Sequence, residues 1–258
     1  MNEQHALPFV LVHDRVALAK VMRLQATDLL AAEVTRAIKG GDLDALQRLL
    51  REHEGLAAAR IEREPGRSRT VLHQAADWPG NFPNAPAAVR LLVDAGADVN
   101  AAGEGPAPET PLHWAASSDD VDVAAALIDA GADIEASGGS IAGGSPLDNA
   151  VGYGCWQVAQ LLVSRGARVD KLWHAAALGM LARVQELFAA GVTQKDINEA
   201  FFQACSGGQR RTAEYLLNRG ADINYVPDYS KTTPLGAATG LETRRQTLAD
   251  WLRNRGAK

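Results

Sequence analysis

The chain of 258 residues holds only two cysteines, Cys155 and Cys205, too few to staple a disulfide scaffold or to complete a zinc site. A reducing, cytoplasmic setting is expected for such a chain. Basic residues are not in excess: 26 lysines and arginines face 31 aspartates and glutamates, for a net charge of −5. Without a basic stripe there is no electrostatic footprint for nucleic acid. Long apolar runs are missing too. The stretch Leu7 to Val12 is interrupted by Pro8 and bordered by Met1-Asn2-Glu3 and His13-Asp14-Arg15, so it is too short and wrongly flanked for a signal peptide or a membrane span. Glycine-rich Gly138 to Gly144 lacks the Gly-Lys-Ser/Thr ending of a phosphate loop and reads as a flexible finger. No metal and no cofactor are expected.

What the chain does have is repetition. The heptapeptide Thr110-Pro111-Leu112-His113-Trp114-Ala115-Ala116 returns upstream as Thr70-Val71-Leu72-His73-Gln74-Ala75-Ala76 and downstream as Ser145-Pro146-Leu147-Asp148-Asn149-Ala150-Val151. At about 100° per residue, Leu112, Ala115 and Ala116 share one helical stripe, while Trp114, Ser117 and Ser118 face the other way. The amphipathic helices that follow run into Gly96, Gly131, Gly166 and Gly220. Glycine at that point suits a left-handed C-cap.

Thr-Pro-Leu-His-x-Ala is the ankyrin motif, and the chain resembles an ankyrin-repeat protein over most of its length, of the bacterial-type, degenerate and capped kind. The resemblance implies an all-α fold, an ankyrin-repeat solenoid of about seven helix-turn-helix units with short β-hairpin fingers and a concave groove. It is nearly silent on what is bound, because a repeat scaffold carries whatever its variable face supplies.

Residues 1–26 fit no repeat and are expected to form an N-terminal extension packed on the array, with Leu7 to Val12 extended and Asp14 capping a helix through Met22 and Leu24. Residues 27–258 are expected to form one elongated repeat domain. Asp28 to Leu50 reads as its N-terminal cap, with Glu33, Arg36, Lys39, Gln47 and Arg48 turned to water. In the second unit, Asp77 to Pro86 contains three prolines and a glycine, which predicts an ordered loop carrying Trp78 and Phe82. Leu72 to Leu112 spans 40 residues and Leu112 to Leu147 spans 35, against a family period of about 33. The next spacings shrink to 25 (Leu147 to Leu172) and 29 (Leu172 to Phe201), so fingers are expected to be absent there. The last unit opens at Thr233-Pro234-Leu235, and a helix from Leu241 to Arg255 is expected to cap the C-terminal end.

The face opposite the Leu/Ala/Ala stripe supplies the candidate binding groove: Gln74, Trp78, Trp114, Ser117, Asn149, Tyr153, His174 and Gln203. Rigid aromatics give contact area at low entropic cost, and amides give directional hydrogen bonds. The resemblance makes His73 and His113 structural brackets, each bonded to the threonine three residues back and to the adjacent unit. Asp148 takes that slot in the fourth unit and is expected to weaken the bracket and to be free to face the groove. Asp119 and Asp120 are expected to serve as turn and N-cap residues of the helix after them. A non-enzymatic scaffold for a partner protein or peptide is the leading expectation. The alternative is a small-molecule or acid–base site around Asp77, Trp114, Asp148 and His174, with His113 as a further catalytic candidate; a carboxylate within reach of an unbracketed histidine would favour it.

Overall fold

In the computed structural model, which describes residues 21–239 and 243–258, helix pairs follow one another along the chain. The first unit is α1 (Leu29–Gly40) and α2 (Leu43–Glu52); the second is a 3-10 turn (Val71–Ala75) and α3 (Ala85–Asp94). Then come α4 (Pro111–Ser117) with α5 (Val121–Asp129), α6 (Pro146–Tyr153) with α7 (Trp156–Ser164), α8 (Leu172–Ala177) with α9 (Leu181–Ala189), α10 (Gln194–Ser206) with α11 (Arg210–Leu217), and α12 (Pro234–Ala238) with α13 (Thr243–Arg253). Seven pairs are thus present among the described residues, and the architecture is a mostly helical solenoid. None of the described helices is long and apolar enough to cross a membrane.

The repeated stripe is what holds the units together. Leu72, Leu112 and Leu147, with the small residues three and four positions after each, are almost wholly buried. Each buried leucine contributes about 1.5–3 kcal/mol, and the alanines let neighbouring inner helices approach. At Gly207 the approach is backbone to backbone: an added Cβ would stand against the Ala177 carbonyl, which brings α8 and α10 close. Gly41, which caps α1 at φ 69°, faces Pro83 of the next unit in the same way.

The finger of the second unit is an antiparallel hairpin, β2 (Arg60–Glu64) with β3 (Arg67–Thr70), and β1 (Arg23–Gln25) lies parallel beside β2 with Arg23 opposite Arg60. This corrects the expected helix through Met22 and Leu24. Leu24 is buried between exposed Arg23 and Gln25, the two-residue alternation of a strand. Arg23 is held at the edge by a bidentate pair with Glu104, at 2.6 and 2.9 Å. Leu7 to Val12, Asp14 and Leu241 lie outside the described residues.

The later fingers fold down onto their neighbours. Residues 101–109 lie along β3, with Glu104 N donating to Ser68 O at 2.9 Å and Arg60 Nη2 to Ala102 O at 2.9 Å. Gly138 to Gly144 is not a free finger as expected. It forms a small hairpin (Gly138 N to Gly143 O, 3.0 Å; Gly139 N to Gly144 O, 2.9 Å) pressed so closely on Pro108, His113, Asn149 and Asp148 that side chains at Gly138, Gly139 and Gly144 would collide with them. Its glycines serve close approach. Before α8 and α10 only residues 165–171 and 190–193 connect, and neither stretch forms a hairpin.

Candidate functional site

The two histidines of the motif are committed to structure. Thr70 N donates to His73 Nδ1 at 3.2 Å, Thr70 Oγ1 stands 2.7 Å from the same nitrogen, and His73 Nε2 meets Glu109 O of the next unit at 3.0 Å. Because Nδ1 accepts and a carbonyl can only accept, the ring proton sits on Nε2. His113 repeats this with Thr110 (3.2 and 2.9 Å) and Gly144 O (3.1 Å). Burial pushes His73 down to about 3 and lowers His113 as well, so both rings are neutral.

Asp148 does not turn to the groove as expected. Its Oδ2 accepts from Ser145 N (2.7 Å) and Ser145 Oγ (3.0 Å), which completes the same capping box, and its Oδ1 is paired with Lys171 of the next unit. The bracket survives with an ion pair in place of an imidazole. His174 Nε2 lies 3.3 Å from Asp148 Oδ1, within ion-pair distance but outside hydrogen-bond geometry, and Nδ1 has no partner. Burial raises the Asp148 carboxyl, but His174, Lys171 and the Ser145 amide outweigh it and hold it well below the usual carboxylate range. Only this pair, of the four acid–base candidates, is brought together. Asp77 is instead paired with Lys39 at 2.6 Å, with Arg63 at 3.8 Å.

The loop from Asp77 to Asn84 is an ordered strut. Asn84 Nδ2 donates back to Gly41 O at 2.9 Å, Asn81 N donates forward to Asp120 Oδ2 at 2.5 Å, and Lys39 lies 5.2 Å over the Phe82 ring. Asp120 caps α5 as expected, accepting from Val123 N at 3.1 Å. Asp119 lies in the turn before α5, as expected, and its side chain does something further: Oδ1 accepts from Val158 N at 2.9 Å, so it caps α7 of the following unit, whose own N-cap, Cys155, gives no side-chain cap.

The groove residues divide by accessibility. Trp78 is 78% exposed and Tyr153 54%, and Trp114 and Ser117 are half-buried, whereas Gln74, Asn149, His174 and Gln203 are buried. The buried Asn149 amide is fully engaged: Nδ2 donates to Glu109 Oε1 (2.7 Å) and Ser117 Oγ (3.1 Å), and Oδ1 accepts from Ile141 N (3.2 Å). Gln203 Nε2 meets the Tyr229 hydroxyl at 3.3 Å. Two clefts adjoin on this face. One of about 230 Å³ lies among Asp77, Trp78, Glu109, Trp114, Ser140 and Tyr153. The other, about 560 Å³, lies among Ile141, Tyr153, Trp173, Glu199, Gln203 and Tyr229.

Ser140 and Tyr153 belong to both clefts, and their hydroxyls are 3.1 Å apart. The helical pattern does not point to Glu109, Trp173, Glu199 or Tyr229 as groove residues. Glu109 and Tyr229 sit in connections where that pattern does not run, although a charged residue directly before the motif, Arg69 in one unit and Glu109 in the next, is a visible signal. The cysteines offer little chemistry. Cys155 Sγ donates to Ser117 O at 3.3 Å and burial raises it to about 11, and burial also raises Cys205. Among the described residues no group of three or more His, Cys, Asp or Glu side chains could hold a metal ion.

A family model for the ankyrin repeat matches residues 67–104 and 109–138. That match shows ankyrin repeats over those two segments, and the helix pairs on either side of them continue the same architecture. The fold generally serves as a scaffold for protein–protein interaction. Among solved structures, the ankyrin repeat domain of human ASB11 is 20% identical, with 83% of this chain and 95% of that chain covered and a TM-score of 0.49. The ankyrin repeat domain of Bcl-3, described as a unique member of the IkappaB protein family, is 26% identical, with 86% and 97% covered and a TM-score of 0.46. No curated protein matches the sequence.

Proposed function

We propose that the chain is a non-enzymatic scaffold that docks an extended segment of a partner protein along the face running from Trp78 to Tyr229. The observation that carries this reading is the continuity of the two clefts through Tyr153, which puts five aromatic rings, from Trp78 to Tyr229, along one stretch of surface. Five rigid rings along one groove suit a chain laid across several units better than a single metabolite. Selection of peptides from a random library on the full chain tests this: bound peptides should lose affinity about tenfold or more for Trp78→Ala or Tyr229→Ala. Peptides indifferent to both substitutions would remove the groove from consideration.

The acid–base alternative keeps one supporting observation, the approach of Asp148 to His174 at 3.3 Å. Both side chains are buried, however, and neither lines any of the clefts described above, so a substrate has no route to them. We read this pair as structural. Residues 27–258 are taken as one elongated repeat domain and the segment before them as its N-terminal extension, supported by the pairing of β1 with β2. Two buried thiols and the lack of a membrane-crossing helix among the described residues accord with a cytoplasmic setting.

A further inference from the structure

The smaller cleft holds a carboxylate that, among the described residues, no cation of the protein touches. Glu109 is 9% exposed, yet its carboxylate is held by three neutral donors: Trp114 Nε1 on Oε2 at 3.1 Å, and Ser140 N (3.0 Å) and Asn149 Nδ2 (2.7 Å) on Oε1. A buried carboxylate is ordinarily paired with a cation, because leaving water costs far more than neutral hydrogen bonds return. Among the described residues no lysine or arginine makes an ion pair with it. The other acid in the cleft is different, since Asp77 is matched by Lys39 at 2.6 Å. Arg69 stacks on Trp114 at 5.2 Å and its charge is felt by Glu109 from there, but the two make no ion pair, and its guanidinium lines a separate cleft with Ile61, Arg63, Glu64 and Arg67.

Around Glu109 the walls are aromatic. Trp78, Trp114 and Tyr153 line the same space of about 230 Å³, and Trp78 and Tyr153 are among the most exposed large side chains described. Aromatic faces attract a cation through their quadrupoles, and they do so more strongly where water is thinned out, as over a buried carboxylate. The volume suits one long side chain. The rest of the groove offers no equivalent: Glu199 in the larger cleft lies 3.7 Å from Lys195.

We propose that this cleft seats the cationic end of a lysine or arginine side chain carried by the docked partner segment, with Glu109 as its counter-charge and Trp78, Trp114 and Tyr153 as its walls. The proposal rests on the groove reading for the segment that brings the side chain, and its test is kept separate from peptide selection. The probes are Nα-acetyl-lysine amide and its neutral counterpart Nα-acetyl-norleucine amide, titrated into the full chain while the indole N–H resonances of Trp78 and Trp114 are followed. The lysine probe should give saturable shifts of both resonances below roughly 50 mM, and the norleucine probe should not. Glu109→Gln, which keeps the shape and the oxygen that accepts from Ser140 and Asn149 but gives up the bond from Trp114 Nε1, should weaken the lysine probe at least about fivefold, and so should Trp78→Ala at an exposed position. Cooperative thermal unfolding of each variant serves as the check on folding. No saturable shift, equal response to the two probes, or wild-type affinity in Glu109→Gln would each overturn the proposal. If selected peptides bind while the lysine probe fails, only the cation site is lost; if the probe binds and no peptide does, only the groove reading is lost.

Discussion

The carboxylate of Asp148 in the fourth unit and the ammonium of Lys171 in the fifth are tied across the unit junction, at the place where the second and third units use a neutral histidine and a backbone carbonyl. One sequence position therefore solves the same problem, joining an inner helix start to its neighbour, by two kinds of chemistry. The change coincides with the lost finger: no hairpin precedes α8, so no carbonyl equivalent to Glu109 O or Gly144 O is presented, and Lys171 supplies the partner instead.

Removing one member of that pair leaves the other exposed to an apolar surround. Lys171→Met, which strands the buried Asp148 carboxylate, should cost about 2–4 kcal/mol in urea denaturation, and Asp148→Ala, which leaves an ammonium partly in water but also removes the capping box at Ser145, a similar amount. Because the folded carboxyl titrates well below its unfolded value of about 4, the contribution is present above that pH and is lost as pH falls below it. A wild-type chain whose stability advantage over Asp148→Ala persists unchanged at pH 3 would contradict the pairing.

His73 gives a pH dependence in a different window. Its folded value is about 3 against about 6.5 unfolded, so the unfolded chain takes up a proton first and stability declines as pH drops from about 6.5 toward 3. At about 1.4 kcal/mol per pH unit, the fall between pH 7 and pH 5 amounts to roughly 2 kcal/mol from this ring. His113 shifts the same way and adds to it. Denaturant titrations at the two pH values should show a smaller fall in His73→Asn, although that variant is less stable at pH 7.

The sequence announced the array because its signal is local and repeated. Leu112, Ala115 and Ala116 share a stripe wherever the motif occurs, and all are buried as the period requires. The spacing between aligned leucines likewise foretold which fingers are missing. What the pattern does not carry is the partner of each polar side chain across a junction. Asp119 sits one residue before a plain N-cap, and nothing local distinguishes capping its own helix from capping the next one. Gly138 to Gly144 looks the same by composition whether it waves in water or lies flat on α6. Asn149 follows the groove spacing faithfully, yet Glu109, 40 positions earlier, claims its amide.

The cap between units is open to a direct test. Asp119→Ala should cost about 1 kcal/mol and should speed amide exchange in the first turn of α7 rather than of α5. Faster exchange confined to α5 would contradict a cap on α7.

The close crossing of α8 and α10 predicts an intolerance that helix propensity alone would not. Alanine is the better helix former, but at Gly207 its methyl would meet the Ala177 carbonyl, so Gly207→Ala should destabilise by about 1–3 kcal/mol. Gly40→Ala, where an added Cβ touches nothing within 4 Å, is the matched control and should be neutral or slightly stabilising. Calorimetric melting temperatures of the two variants separate the cases.

Hydrogen exchange with a library-selected peptide bound reads out the docking face without prior choice of residues. Slower exchange is predicted for the backbone around Trp78, the Ser140 to Ala142 hairpin, the end of α6 at Tyr153 and the connection bearing Tyr229. Protection confined to the outer helices α5, α7 and α9, with those four segments unchanged, would show that the partner docks on the opposite side of the solenoid.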